Sequence, residues 1–269
     1  MLRAKLSAFP CALVLGAAIG LLAGCAGDKT DPTVNWTPEQ IYSEARDAAG
    51  SGAYDKAVPL YEKLQNRAAG TPMAQQAELE MAYAQYKDED KIKAIATLNR
   101  FLKYHPASPA ADYALYLKGI VNFNGDLGAF SWLTRQDISE RDQDAAKLSF
   151  DTFKELVTRF PNSRYAPDAR ARMNYIVNAL SQYEVHVARY YYSRGAYLAA
   201  ANRAQQSVAN YPNTPAQEDA LHIMVSSYDR LGLSQLRDDT QRVLSSNYPN
   251  SDSAASALTV KKGPWWKLW

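Results

Sequence analysis

Cysteine is almost missing from this chain: it has 2, Cys11 and Cys25. A disulfide framework and a cysteine-built zinc site are therefore out of reach. Histidine is nearly as scarce, with His105, His186 and His222 set far apart. No HExxH, P-loop, GxSxG or GxGxxG motif is present, so the enzyme classes built on those motifs have no support. An excess of one charge is missing as well. There are 30 Lys and Arg against 28 Asp and Glu, which argues against a nucleic-acid binder held by a broad basic face. No long stretch alternates apolar and polar residues, which excludes a sheet-based core. Glycine and proline are largely absent from the interiors of the helical segments and stand between them.

One long apolar run exists, Phe9 to Ala23, and its 15 residues fall short of the roughly 20 a membrane-spanning helix needs. Arg3 and Lys5 precede it, and small residues close it, the layout of a secretory signal. Cys25 follows directly, and it has three readings: the end of a span, half of a disulfide, or a processing site. Length removes the span. Cys11 would leave with the signal, so Cys25 has no partner. Leu22-Ala23-Gly24-Cys25 resembles the lipobox of bacterial lipoproteins. That resemblance implies cleavage after Gly24, a covalent lipid on Cys25, and, with Ala26 rather than Asp next, delivery to the outer membrane. Without Arg3 and Lys5, the basic side chains equal the 28 acidic ones. Residues 25–37 read as a flexible lipidated tether; the twelve residues after Cys25 reach about 40 Å when extended.

From Pro38 the pattern is helical. Thr37-Pro38-Glu39-Gln40 has the form of a capping box with proline at the first helical position. A punctuation then recurs at His105-Pro106, Phe160-Pro161, Tyr211-Pro212 and Tyr248-Pro249. Each is an aromatic or histidine, then proline, then small or polar residues, including a Ser or Thr suited to capping the next helix. Gly52-x-Tyr54-x-x-Ala57 and Gly195-x-Tyr197-x-x-Ala200 share one pattern, and Ala82, Ala94 and Pro106 keep a 12-residue spacing. These features resemble the tetratricopeptide repeat, a helix pair of about 34 residues. The expected fold is all-α: a solenoid of five helix pairs over 38–251, beginning near Pro38, Pro72, Pro109, Tyr165 and Pro215. A tail, 252–269, follows. The third repeat carries an insertion between Val121 and Asp144. The first helix of the fourth extends back to about Ala166, nearly twice the usual length. Inserts in solenoids gather on one face and are often functional; drift on a tolerant surface explains them equally well.

Binding chemistry has better candidates than catalysis. The acidic group Asp137, Glu140, Asp142 and Asp144 lacks the glycine of a calcium loop and reads as a solvated run paired with Arg135 and Arg141. No cofactor and no metal is expected beyond the lipid on Cys25. The concave face of a repeat array is lined by first helices. The repeat pattern puts Tyr42, Arg46, Tyr83, Tyr86 and Lys87 on it, a set suited to an extended peptide with aromatic side chains. A repeat-helix tyrosine is also a common core residue. In the tail, Trp265, Trp266 and Trp269 stand among lysines. Four readings stay open: a cap on the last repeat, a membrane-interface anchor, a docking segment for a partner subunit, and an imitation of a groove ligand.

The set as a whole resembles the BamD (ComL) family, lipoprotein subunits of the outer-membrane β-barrel assembly complex. Ala82 to Lys87, Asp112-Tyr113-x-x-Tyr116-x-x-Gly119, Ser139-Glu140-Arg141-Asp142, Tyr183 to Tyr191 and Gly195 to Arg203 carry the resemblance. It implies a non-enzymatic adaptor at the periplasmic face of the outer membrane. The implied partners are the barrel protein BamA, accessory assembly lipoproteins and unfolded barrel clients, with no nucleic acid. It makes Arg203 the contact to BamA and puts Tyr83, Tyr86 and Lys87 near the client groove. Where the family often has an aromatic-proline turn after the first repeat, Asn66 to Gly70 stands instead, so no aromatic client contact is expected there. A different tetratricopeptide lipoprotein, such as a pilotin for secretin assembly or a cell-envelope scaffold, is the runner-up.

Overall fold

A computed structural model describes residues 31–123, 143–251 and 257–259. Cys25, most of the insertion and the three tail tryptophans lie outside the described residues. Ten helices follow one another among those that are described. They are α1 (Pro38–Gly50), α2 (Tyr54–Arg67), α3 (Pro72–Lys87), α4 (Lys91–Tyr104), α5 (Ala111–Asn122), α6 (Gln143–Arg159), α7 (Ala166–Ser193), α8 (Tyr197–Asn210), α9 (Gln217–Arg230) and α10 (Ser234–Asn247). Each packs mainly on its neighbours in sequence, as expected of a stacked array of helix pairs. The five pairs begin within two residues of the positions read from the sequence, and α7 has 28 residues.

Local chemistry sets the boundaries. Thr37 Oγ1 accepts the Gln40 N–H, and the Gln40 side chain accepts the Thr37 N–H at 2.8 Å, the expected reciprocal cap. Four of the turns inside pairs share one closure. A residue with positive φ sits at Gly52, Glu89, Gly195 and Gly232, and the next N–H bonds back to Ala48, Gln85, Tyr191 and Tyr228 respectively. This is the six-to-one closure that a left-handed residue permits. Glu89 is the one non-glycine of the four. Between pairs, the N–H groups of His105, Phe160, Tyr211 and Tyr248 close the preceding helices onto Phe101, Leu156, Ser207 and Leu244, and proline then bars continuation.

The serines after those prolines do not cap the following helices. Ser108 and Ser163 accept N–H groups of Ala110 and Tyr165, residues of the turn itself, and α5, α7 and α9 start without a side-chain cap. An extra turn separates the hydroxyl from the first free helical N–H, so it stabilises the turn and not the helix.

The core is a series of four clusters. One joins α1, α2 and α3 around Ile41, Tyr61 and Leu64. The next joins α3, α4 and α5 around Leu98 and Phe101. A third joins α5, α6 and α7 around Phe153 and Leu156, and the last joins α7, α8, α9 and α10 around Val185 and Ile223. Gly119 makes the third possible: a Cβ there would lie 2.4 Å from the Phe153 ring.

The tether is shorter than the sequence suggests. Thr33 is 2 % exposed, Arg67 donates to the carbonyls of Thr33 and Trp36, and Lys63 pairs with Asp31 at 2.7 Å. The Lys63 hydrogen bond, aided by those of Thr33, lowers the Asp31 carboxyl to about 2. Residues 31–36 thus strap onto α2.

Candidate functional site

An open groove of about 720 Å³ is walled by Pro72, Leu79, Phe101, Pro109, Tyr113 and Tyr165. It lies where the starts of α3, α5 and α7 converge. Residues three and four apart share a helix face, so Gln76, Glu80, Tyr83 and Lys87 form one stripe on α3. Glu80 is its polar centre. Tyr42 donates to Glu80 Oε1 at 2.8 Å, and the Gln76 amide donates to both Glu80 and the Tyr42 hydroxyl. Arg46 lies over the Tyr42 ring at 5.7 Å. Burial, with the carboxylate of Glu80 as hydrogen-bond partner, raises the phenols of Tyr42 and Tyr61.

The opposite wall is aromatic. Tyr116 and Tyr165 stack at 4.6 Å, Tyr113 meets Tyr165 at 5.6 Å, and Arg164 covers the outer face of Tyr165. Burial pushes the Tyr113 phenol up to about 12. Asp112 accepts from Ser163 at 2.6 Å and so ties the start of α5 to the turn before α7. Tyr116 and Arg172 both donate to Asp168. The groove thus has an apolar floor, the tilted rings of Tyr113 and Tyr165 along one side, carboxylates at Glu80 and Asp112, and the Arg164 guanidinium beside Tyr165.

Of the residues read from the sequence, Tyr42, Arg46 and Tyr83 lie on this face or beside it; Tyr83 is 42 % exposed. Lys87 ends the same stripe, exposed. Tyr86, one turn on from Tyr83, is half-buried and packs against the cluster of α3, α4 and α5, at the edge of the same face. Sequence reading missed Gln76, Glu80, Tyr113, Arg164 and Tyr165. The first two could have been found from their spacing to Tyr83. The others come from different repeats and meet only because α5 and α7 stack.

Arg203 sits on α8 and pairs with Glu184 of α7 at 3.0 Å. Glu184 is nearly buried, whereas the Arg203 side chain is 39 % exposed. The hydrogen bond to Glu184 outweighs partial burial and raises the guanidinium further. Arg203 thus neutralises an interior carboxylate while keeping one edge open to solvent.

Catalytic geometry does not assemble at the two placed histidine contacts. Ser251 donates to Glu218 at 2.5 Å, so His222 Nε2, 2.7 Å from the same hydroxyl, must donate to it. That is the reverse of a base activating a nucleophile. His105 lies 3.9 Å from Glu78, which Arg100 already pairs. Among the described residues no group of His, Cys, Asp and Glu could hold a metal ion, and no helix is long and apolar enough to cross a membrane.

Fold and groove together define a helical-repeat protein of five stacked helix pairs with an open groove walled by α3, α4, α5 and the start of α7. A family model described as outer membrane lipoprotein, YfiO, matches residues 35–244. A relative in Neisseria meningitidis serogroup A, called outer membrane protein assembly factor BamD, is 45 % identical over 96 % of this chain and 98 % of its own. The factor of the same name in Neisseria gonorrhoeae is 45 % identical over 95 % and 96 %. That in Vibrio cholerae is 34 % identical over 86 % and 95 %. The chain belongs to the BamD family of outer-membrane lipoproteins.

Proposed function

We propose that this chain is a non-catalytic adaptor in the assembly of outer-membrane β-barrel proteins. A lipid on Cys25 holds it at the periplasmic face of the outer membrane. The groove between α3, α5 and α7 receives extended, aromatic-bearing segments of unfolded barrel clients. The face of α7 and α8 that carries Arg203 meets the periplasmic domains of a BamA-type barrel protein, and accessory lipoproteins join the complex.

The open aromatic-walled groove carries this reading. Leu79, Phe101, Tyr113 and Tyr165 give the groove apolar and aromatic surface against which an aromatic side chain can pack, and repeat arrays use such surfaces for extended ligands. Membership in a family whose relatives are named as assembly factors supports the setting. The test is fluorescence anisotropy with a labelled peptide from the C-terminal strand of a barrel protein. Tyr113→Ala should weaken binding about tenfold or more, since aromatic truncation at such a site costs about 2 kcal/mol; unchanged binding would overturn the groove reading. Affinity purification from detergent-solubilised outer membrane should recover the barrel protein. Recovery of a secretin in its place would favour the pilotin alternative.

A further inference from the structure

Charges withdrawn from water are normally paired, and most carboxylates of this chain follow that rule. Glu78 pairs with Arg100, Asp90 with Lys93, Glu184 with Arg203 and Asp239 with Arg242. Asp219 pairs with Arg189, whose Nε also donates to the Ala257 carbonyl at 2.6 Å. Among the described residues three buried or half-buried carboxylates have no Lys or Arg partner: Glu80, Asp112 and Glu218. Glu218 takes the Ser251 hydroxyl beside His222. The other two line the groove of α3, α5 and α7.

Neutral groups hold these two in place without cancelling their charge. Glu80 Oε1 accepts from the Tyr42 hydroxyl at 2.8 Å and from the Gln76 amide at 2.9 Å. Asp112 accepts from the Ser163 hydroxyl at 2.6 Å and from the Tyr113 N–H at 2.7 Å. Two guanidiniums stand nearby, and aromatic partners engage both. Arg46 lies over the Tyr42 ring at 5.7 Å. Arg164 lies over the Tyr165 ring at 4.7 Å and donates to its hydroxyl. The same groove holds the apolar and aromatic side chains Leu79, Phe101, Tyr113 and Tyr165.

We infer that Glu80 makes this groove selective for cationic aromatic segments: extended stretches of client in which a Lys or Arg stands two residues from an aromatic residue. The cation meets Glu80, with Asp112 adding to the field, while the ring packs on Tyr113 and Tyr165. The inference rests on the reading of the groove as a client site. Side chains two residues apart point to the same side of an extended chain, so both can enter one groove. A Lys or Arg brings what Tyr42 and Gln76 do not, a donor with formal charge, and such hydrogen bonds are roughly twice as strong as neutral ones. An acidic side chain in that place would meet repulsion.

The probes are two labelled peptides from the C-terminal strand of a barrel protein, identical except for Lys or Gln two residues before an aromatic residue. Each is titrated against the full chain by fluorescence anisotropy. The Lys peptide should bind about tenfold more tightly, and its advantage should shrink as salt is raised. Glu80→Gln keeps an acceptor for Tyr42 and Gln76 and removes the charge. It should bring the two peptides to equal affinity, with helicity by circular dichroism unchanged. Glu62→Gln, at an exposed position of α2, should leave the preference intact. Equal binding of the two peptides by the unaltered chain overturns the inference. So does a preference that survives Glu80→Gln, or one that Glu62→Gln removes as well. Tyr113→Ala separates the two readings. If it weakens both peptides while the unaltered chain treats them alike, the groove reading stands and the cation preference falls. If neither peptide depends on Tyr113, both fall.

Discussion

Gly119 shows how much one side chain can decide. It was legible as the last position of a motif, but only the packing of α5 on α6 gives the reason, a Phe153 ring where a Cβ would be. Gly119→Ala should cost about 1–3 kcal/mol through overpacking, seen as a lower urea midpoint; an unchanged midpoint would mean that the ring moves freely aside. Arg203 makes a second case. Removing it strands Glu184, and an unpaired buried carboxylate is costly. Arg203→Ala should therefore lower stability as well as any partner affinity. Glu184→Gln together with Arg203→Ala should recover the stability and leave the loss in binding, so denaturation and BamA-domain binding measured side by side separate the two roles. Tyr86 and Tyr83 looked alike in sequence; they are one turn apart on α3, and contact with α4 and α5 half-buries Tyr86 while Tyr83 stays exposed.

Among elements, the N-terminal strap and α7 differ most from a plain reading. The strap over 31–36 depends on Asp31. Its folded carboxyl, at about 2, lies below the ordinary value near 3.8. The contribution of the Lys63–Asp31 contact is complete above about pH 4 and is lost as the pH falls toward 2. Amide exchange at Thr33 to Trp36 should accelerate in that window ahead of α2, and Asp31→Asn should remove the pH dependence; a strap equally protected at pH 2 and pH 5 would contradict this. Polar sequence around Pro32 looked like free tether because the partners that order residues 31–36, Lys63 and Arg67, lie one helix away. The length of α7, by contrast, was readable from uninterrupted helical sequence. Its use was not: it spans from the groove wall at Tyr165 to the contact that holds Ala257.

For the whole molecule, four separate clusters and mostly neighbour-to-neighbour packing predict local failure. Leu64→Ala removes a fully buried side chain from the first cluster, a loss of about 2–5 kcal/mol. Hydrogen exchange should rise through α1 to α3 and change little in α8 to α10, because such arrays couple mainly through adjacent repeats. Uniform loss of protection would instead reveal a single cooperative unit. Sequence by itself determined the helical class, the number and starts of the five pairs and the long helix, and it singled out Cys25 as the residue proposed to carry a lipid. Caps, prolines and left-handed turn residues act within a few positions of themselves, so their effects are written locally. Tertiary structure alone decided the groove. Tyr113, Tyr165 and Glu80 are remote in the chain, and stacking of α3, α5 and α7 brings them into one groove. It also turned the tail back toward α7, since a hydrogen bond from Arg189 to the carbonyl of Ala257 depends on two segments meeting in space and leaves no periodic mark in either.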